Sequence, residues 1–230
     1  MTALSLKSPD YNAARKNMVE SQLRPNKVKV EPVLEVFETL PRERFVPTAL
    51  AGVAYADDNL TIAAGRVLLQ PMVLARIVQA SPVSKSDIVL EIGTGTGYLT
   101  AVLARFVTQV VSVESDADLA RQAAKNLADS GVTNAEIISA TMAEGYAARA
   151  PYDGIVINGA VEQIPDSLIH QVKEGGYLLC ILRHYGAGHA AHQAEAVLYT
   201  KTGAGLSGLS LFDATAPILP GFAKPHSFTF

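Results

Sequence analysis

Only one cysteine occurs in the 230 residues, so no internal disulfide can form. Cys180 sits in the apolar run Tyr177-Leu-Leu-Cys-Ile-Leu182 and reads as a small buried hydrophobe, with a cytoplasmic setting as the expectation. Charge is scarce too: Asp, Glu, Lys and Arg make up 18 % of the chain, below the roughly 25 % usual for soluble domains. An apolar content of 49 % excludes disorder as the main state and fits a sheet buried on both faces. The net charge is −3 and the pI near 5.9, so no electrostatic footprint for duplex nucleic acid or an acidic membrane surface is present. Missing as well are a run of about 18 apolar residues, a secretory leader in Met1–Lys7, an internal repeat and a block of like charge. A soluble, unprocessed protein with neither nucleic acid nor membrane as partner is expected.

What is there is a change of periodicity. The first third reads helical: Asp10 can cap a segment carrying Met18 and Leu23, and Pro32 opens Val33, Val36, Phe37 and Leu40 at helical spacing. Asn59 to Gln70 reads as irregular, with a turn at Ala63-Ala-Gly65, and Pro71 starts another helix. After residue 86 strands and helices alternate. The predicted strands are 87–92, 109–114, 136–139, 153–158 and 175–182, and the predicted helices are 98–106, 116–128 and one opened by Pro165. Such alternation argues for an α/β fold, a mainly parallel sheet with helices on both faces. Glu195–Thr200 and Leu206–Phe212, joined through Gly203-Ala-Gly205, suit an antiparallel edge hairpin. The proline-rich tail with Leu219, Phe222, Phe228 and Phe230 reads as an extended strap lying on the body.

The most informative stretch is Val89-Leu-Glu-Ile-Gly-Thr-Gly-Thr-Gly-Tyr98, a strand running into a glycine turn and a helix. Gly93, Gly95 and Gly97 let the backbone approach a ligand closely and supply torsions that a Cβ disfavours. A dinucleotide site would place a small residue at 98, where Tyr98 stands, and a P-loop would need a lysine that does not follow. The acidic-x-Gly-x-Gly-x-Gly pattern resembles the cofactor turn of S-adenosylmethionine-dependent methyltransferases of the Rossmann-like class. Glu114 ends the next strand 21 residues beyond Gly93, where an acidic side chain accepts hydrogen bonds from ribose hydroxyls.

Over residues 18–182 the chain resembles the protein-L-isoaspartate O-methyltransferases. The resemblance runs through Met18-Val-Glu-Ser-Gln-Leu-Arg24, Leu40-Pro-Arg-Glu-Arg-Phe-Val-Pro47, Ala54-Tyr-Ala-Asp57, Gln70-Pro71, Val89–Ala104, Ala150-Pro-Tyr-Asp153 and Leu168–Gly176. It implies a Rossmann-like methyltransferase fold over 1–230, with a helical cap and substrate loop in 1–80, a cofactor-binding core in 81–182, and edge strands and strap in 183–230. It implies S-adenosyl-L-methionine as cofactor, with Glu91, Gly93, Thr94, Gly95 and Gly97 around its methionine part, Glu114 at the ribose, and Thr141 with Met142 at the adenine. The implied acceptor is the abnormal L-isoaspartyl carboxylate in proteins or peptides.

Three departures stand out. The family's loop reads Gly-Gln-Thr-Ile-Ser-Gln-Pro, whereas this chain has Gly65-Arg-Val-Leu-Leu-Gln-Pro71, so Val67 and Leu69 replace two hydroxyl residues that help hold the substrate carboxyl. Ala140-Thr-Met142 replaces Gly-Asp-Gly beside the adenine, and Asn158-Gly-Ala160 replaces a threonine and alanines. Arg66, at the family's glutamine, could grip a substrate carboxylate with its guanidinium fork or be a solvated loop arginine. Another acceptor, such as a small carboxylate, and a catalytically silent relative working through protein contacts both stay open. His184, His189 and His192 match no zinc spacing and read as a polar loop, with no metal expected.

Overall fold

The computed structural model describes residues 10–184 and 193–224. Asp10 caps α1 (Tyr11–Met18) by accepting from the Ala13 amide, and the helix runs on into a wider turn at Val19–Leu23. Pro32 lies in the first turn of α2 (Glu31–Thr39), where its missing N–H costs nothing. A two-stranded hairpin, β1 (Leu60–Ala63) and β2 (Arg66–Leu68), follows and then α3 (Pro71–Ala80). The core continues through β3 (Ile88–Ile92), α4 (Tyr98–Leu103), β4 (Gln109–Glu114), α5 (Ala117–Asp129), β5 (Ala135–Ser139), β6 (Tyr152–Val161), α6 (Asp166–Gln171), β7 (Val172–Arg183), β8 (Ala194–Thr202) and β9 (Gly205–Asp213).

Seven strands form one sheet in the order β5-β4-β3-β6-β7-β8-β9. The first five in that order pair in parallel, and β7-β8-β9 is an antiparallel edge meander. Side chains alternate between two cores: Val89, Val110, Val156 and Leu179 point one way, while Leu90, Val111, Ile155 and Leu178 point the other. Both faces are covered, which is why the central strands are largely apolar, with Glu91 and Ser112 as buried exceptions. Cys180 is buried in the second core, as its apolar surroundings suggested, and desolvation pushes its thiol up to about 12.

The chain reverses direction across the sheet between β3 and β6, and ligands in open α/β sheets lie outside the carboxyl ends of strands at such a point. β6 extends beyond the pairing with β3, which ends at Ile92 opposite Ile157. Past that point the segment after β9 takes the place of β3. Ala160 donates to the Pro217 carbonyl (3.1 Å) and accepts from the Leu219 amide (2.9 Å), and Glu162 donates to the Phe222 carbonyl (3.0 Å). Leu219 and Phe222 are buried, so residues 214–222 lie along the body as an extended segment, while Phe228 and Phe230 lie outside the described residues.

Two expectations need correction. The stretch Asn59–Gln70 is not irregular: Leu60 pairs with Leu68 and Thr61 with Val67, around Gly65 at φ +68°. Strands this short carry too little alternation to be legible. β6 runs past the predicted 153–158 to Val161, where the strap supplies a partner, and β7 begins at Val172 rather than 175, where Val172 pairs with Tyr152 of β6; a local reading sees neither partner.

Arg42 joins the helical first third to the loop after the hairpin. Fully buried, it donates from Nε to the Ala54 carbonyl and from Nη2 to the Leu69 carbonyl, each at 2.7 Å, with its guanidinium 5.1 Å from the Tyr98 ring centre. Burial brings its pKa down to about 10, so it remains charged at neutral pH. Arg42→Met would leave two buried carbonyls without donors, and we expect a loss of about 3 kcal/mol, read from urea unfolding; a change under about 1 kcal/mol would contradict this account.

Candidate active site

The turn after β3 is built from backbone. Gly93, Gly95 and Gly97 have φ of +88°, +57° and +93°, so each sits where a Cβ would be strained. A Cβ on Gly97 would also meet the Ala123 Cβ of α5 at 3.3 Å, so this glycine admits the close approach of that helix. The Gly93 amide donates to the Val113 carbonyl at 2.8 Å, tying the turn to β4. From the end of β4 the Glu114 carboxylate reaches back and accepts from the Gly95 amide at 2.8 Å.

Glu91 and Thr94 lie beneath this turn. The Glu91 carboxylate is fully buried and accepts from Thr100 Oγ1 (2.5 Å), Ser112 Oγ (2.8 Å) and Asn158 Nδ2 (3.2 Å). Thr94 Oγ1 is 2.5 Å from Ser112 Oγ, which closes a small polar network inside an apolar core. Desolvation raises the Glu91 pKa to about 7, and the three donors oppose that rise. The side chains of Glu91 and Thr94 therefore hold the turn from below. Glu114 and the backbone of Gly93 and Gly95 face the crevice at the strand-order reversal, whereas Gly97 faces α5.

That crevice holds side chains of the protein itself. Arg66, buried at the start of β2, places Nη1 2.5 Å from Glu114 Oε1 and Nη2 2.8 Å from Oε2. The guanidinium fork is thus committed to Glu114, and Arg66 is neither a solvated loop arginine nor free to grip a substrate carboxylate in this conformation. A Cβ built on Gly93 would lie 3.2 Å from Leu219 Cδ1 and 3.4 Å from Arg66 Nη2, and one on Gly95 would lie 2.9 Å from Ile62 Cδ1. Arg66, Leu219 and Ile62 are thus packed against the glycine turn and Glu114.

Thr141 and Met142 follow Ala140, whose amide donates to the Glu114 carbonyl (3.1 Å), and lie beside a depression of about 410 Å³ lined also by Ser115, Pro220 and Gly221. Thr141 is exposed and Met142 buried. Leu69, at the family's serine position, is fully buried, and only its carbonyl makes a polar contact, to Arg42. Two participants went unread in the sequence: Ser112, whose only signal was a hydroxyl inside an apolar strand, and Ile62, which carried none. His184 pairs with Glu195 (2.7 Å); among the described residues no three potential ligands come together, and His189 and His192 lie outside them.

Comparison with known proteins agrees with this architecture. The sequence pattern of the family "Protein-L-isoaspartate(D-aspartate) O-methyltransferase" matches residues 13–200. A protein-L-isoaspartate O-methyltransferase of Koribacter versatilis is 39 % identical over 175 residues, 75 % of this chain and 79 % of that protein. One of Methanoculleus marisnigri is 42 % identical over 165 residues, 72 % and 75 % of the two chains. A solved protein-L-isoaspartate O-methyltransferase superposes with a TM-score of 0.76 at 25 % identity, over 90 % of this chain and 66 % of that one. A Plasmodium falciparum structure, described as a putative enzyme of that name in complex with S-adenosyl-L-homocysteine, shares the fold at a TM-score of 0.72 and 18 % identity, over 92 % and 99 %.

The Glu91 network sets a pH dependence. An acid whose folded pKa of about 7 exceeds the ordinary 4.5 of its kind binds more protons folded than unfolded between those limits. Stability therefore falls as pH rises through that window, by up to about 3 kcal/mol, and Glu91→Gln removes this loss. Urea unfolding of both proteins at pH 5 and pH 8 measures it; parallel changes in the two would refute the assignment.

Proposed function

This chain belongs to the protein-L-isoaspartate O-methyltransferase family, and we propose that it transfers a methyl group from S-adenosylmethionine to the L-isoaspartyl carboxylate of damaged proteins. The observation that carries the reading is the Gly93–Gly97 turn closed onto Glu114 at the strand-order reversal. Gly93, Gly95 and Gly97 would line the methionine part by backbone, Glu114 would take the ribose, and Thr141 with Met142 would flank the adenine. Glu91 and Thr94, whose side chains are tied into the buried network, would support the turn from beneath.

Bound there, the cofactor would supply an electrophilic methyl group, passed to a carboxylate oxygen as the methyl–sulfonium bond breaks and S-adenosylhomocysteine is left. The acceptor needs no general base, because a carboxyl group with a pKa of about 4 is already ionised at neutral pH. What the chain must provide is position, which can supply on the order of 7 to 11 kcal/mol. Two lost loop hydroxyls would cost about 1.5 to 3 kcal/mol each, which lowers turnover without removing the site. One methyltransferase domain over 1–230 belongs to the same proposal, supported by the strap's hydrogen bonds into β6. So does a cytoplasmic setting, in keeping with the lone buried Cys180. Among the described residues no helix is long and apolar enough to cross a membrane.

A second acceptor class is favoured by one observation, the apolar pair Val67 and Leu69 in place of hydroxyls. A small carboxylate would need fewer anchors than a peptide. Methyl-ester formation from labelled S-adenosylmethionine distinguishes the two. We expect an isoaspartyl peptide to be methylated and the same peptide with normal aspartate to be left unmodified; transfer to small carboxylates alone would move the assignment to them.

A further inference from the structure

We propose that Arg66 and Leu219 form a latch that closes the nucleoside crevice, so that the cofactor binds only when the Arg66–Glu114 pair opens. The inference rests on the cofactor reading above, and it concerns what this chain's own residues do to that site.

The hydrogen-bond count of Glu114 carries it. Oε1 accepts from Arg66 Nη1 (2.5 Å) and the Asp116 amide (3.1 Å), and Oε2 accepts from Arg66 Nη2 (2.8 Å) and the Gly95 amide (2.8 Å). A carboxylate offers about four lone-pair sites, and all four are in use. Two come from backbone, the Gly95 amide of the turn and the Asp116 amide just after β4, and would persist with a ligand bound. The other two belong to Arg66, and a ribose diol needs exactly that pair of acceptors. Sugar and guanidinium therefore compete for one carboxylate, and binding both at once is excluded.

The competition favours the closed state. Arg66 and Glu114 side chains are 6 % and 0 % exposed, so the pair is bidentate and sheltered from solvent. A neutral diol replaces a charge-assisted fork, and the displaced guanidinium must find water or another partner. Leu219 adds a second closure. Its Cγ would lie 2.6 Å from a Cβ on Gly159, and its Cδ1 3.2 Å from one on Gly93, so the side chain is wedged between the ends of β3 and β6. Asn59 links the two parts: Nδ2 donates to the strap at the Thr215 carbonyl (3.0 Å), and Oδ1 accepts from the Gln70 amide (2.9 Å) just after the hairpin. A site whose competent state is a minor one shows an apparent affinity reduced by that fraction.

Calorimetric titration of the full chain with S-adenosylhomocysteine tests this on the wild type, Arg66→Gln and Leu219→Ala, each first shown to unfold cooperatively. Arg66→Gln is expected to bind at least tenfold more tightly than the wild type, about 1.4 kcal/mol, and Leu219→Ala more tightly by a smaller factor. Equal affinities in all three would overturn the latch and leave the cofactor reading standing, as would tight wild-type binding that Arg66→Gln weakens. A purely structural ion pair would lower the melting temperature of Arg66→Gln with no gain in affinity, and that too would overturn it. If none of the three binds, the cofactor reading fails and the latch falls with it.

Discussion

Glu114 is the point on which the architecture of the crevice turns. A carboxylate taken fully out of water demands compensation at every lone pair, and the fold meets that demand from two sources: backbone amides of its own strand end and glycine turn, and one long side chain from a hairpin 48 residues earlier. Because Gly95 must present its amide to that carboxylate, the turn is fixed in the left-handed conformation that permits it. The helix α4 starts where it does as a consequence, and the central strand, the turn and the first helix of the core are registered by a single charge.

Two buried carboxylates on adjacent strands illustrate how environment divides labour. Glu91 has only hydroxyl and amide donors around it, so desolvation dominates and its proton affinity rises. Glu114 has a guanidinium facing it. The first residue behaves as part of the interior, a polar knot that fastens α4, β4 and β6 together through Thr100, Ser112 and Asn158. The second faces the place where ligands of such sheets bind. Sequence pattern alone puts both in one motif, and both side chains lie on the Val89–Val110 face of the sheet; what separates them is position along the strand, Glu91 inside β3 and Glu114 at the end of β4.

Much of this was legible before any coordinate. The apolar runs that mark β3, β4 and β7, the proline that opens α3 and the aspartate that caps α5 are local signals, and local signals survive in the fold. The glycine turn and Glu114 were readable because their chemistry is dictated by spacing within one strand-helix-strand unit. What escaped depends on distant partners. The hairpin at 60–68 is stabilised by what it packs against rather than by its own pattern, and the far reach of β6 exists because a segment near residue 218 pairs with it. Arg66 shows the limit most clearly, since its two sequence readings, exposed or substrate-facing, both overlooked an acid 48 positions away.

The strap carries a mechanical corollary. Leu219 hangs from a backbone stitched to Ala160 on both sides, at Pro217 and at its own amide, so its side chain cannot retreat far without a rotamer change or the unfastening of β6 itself. Residues 217–222 and the first turn of the core are thereby held by one set of ladder bonds, and a shift of that segment along β6 would carry Leu219 away from Gly93.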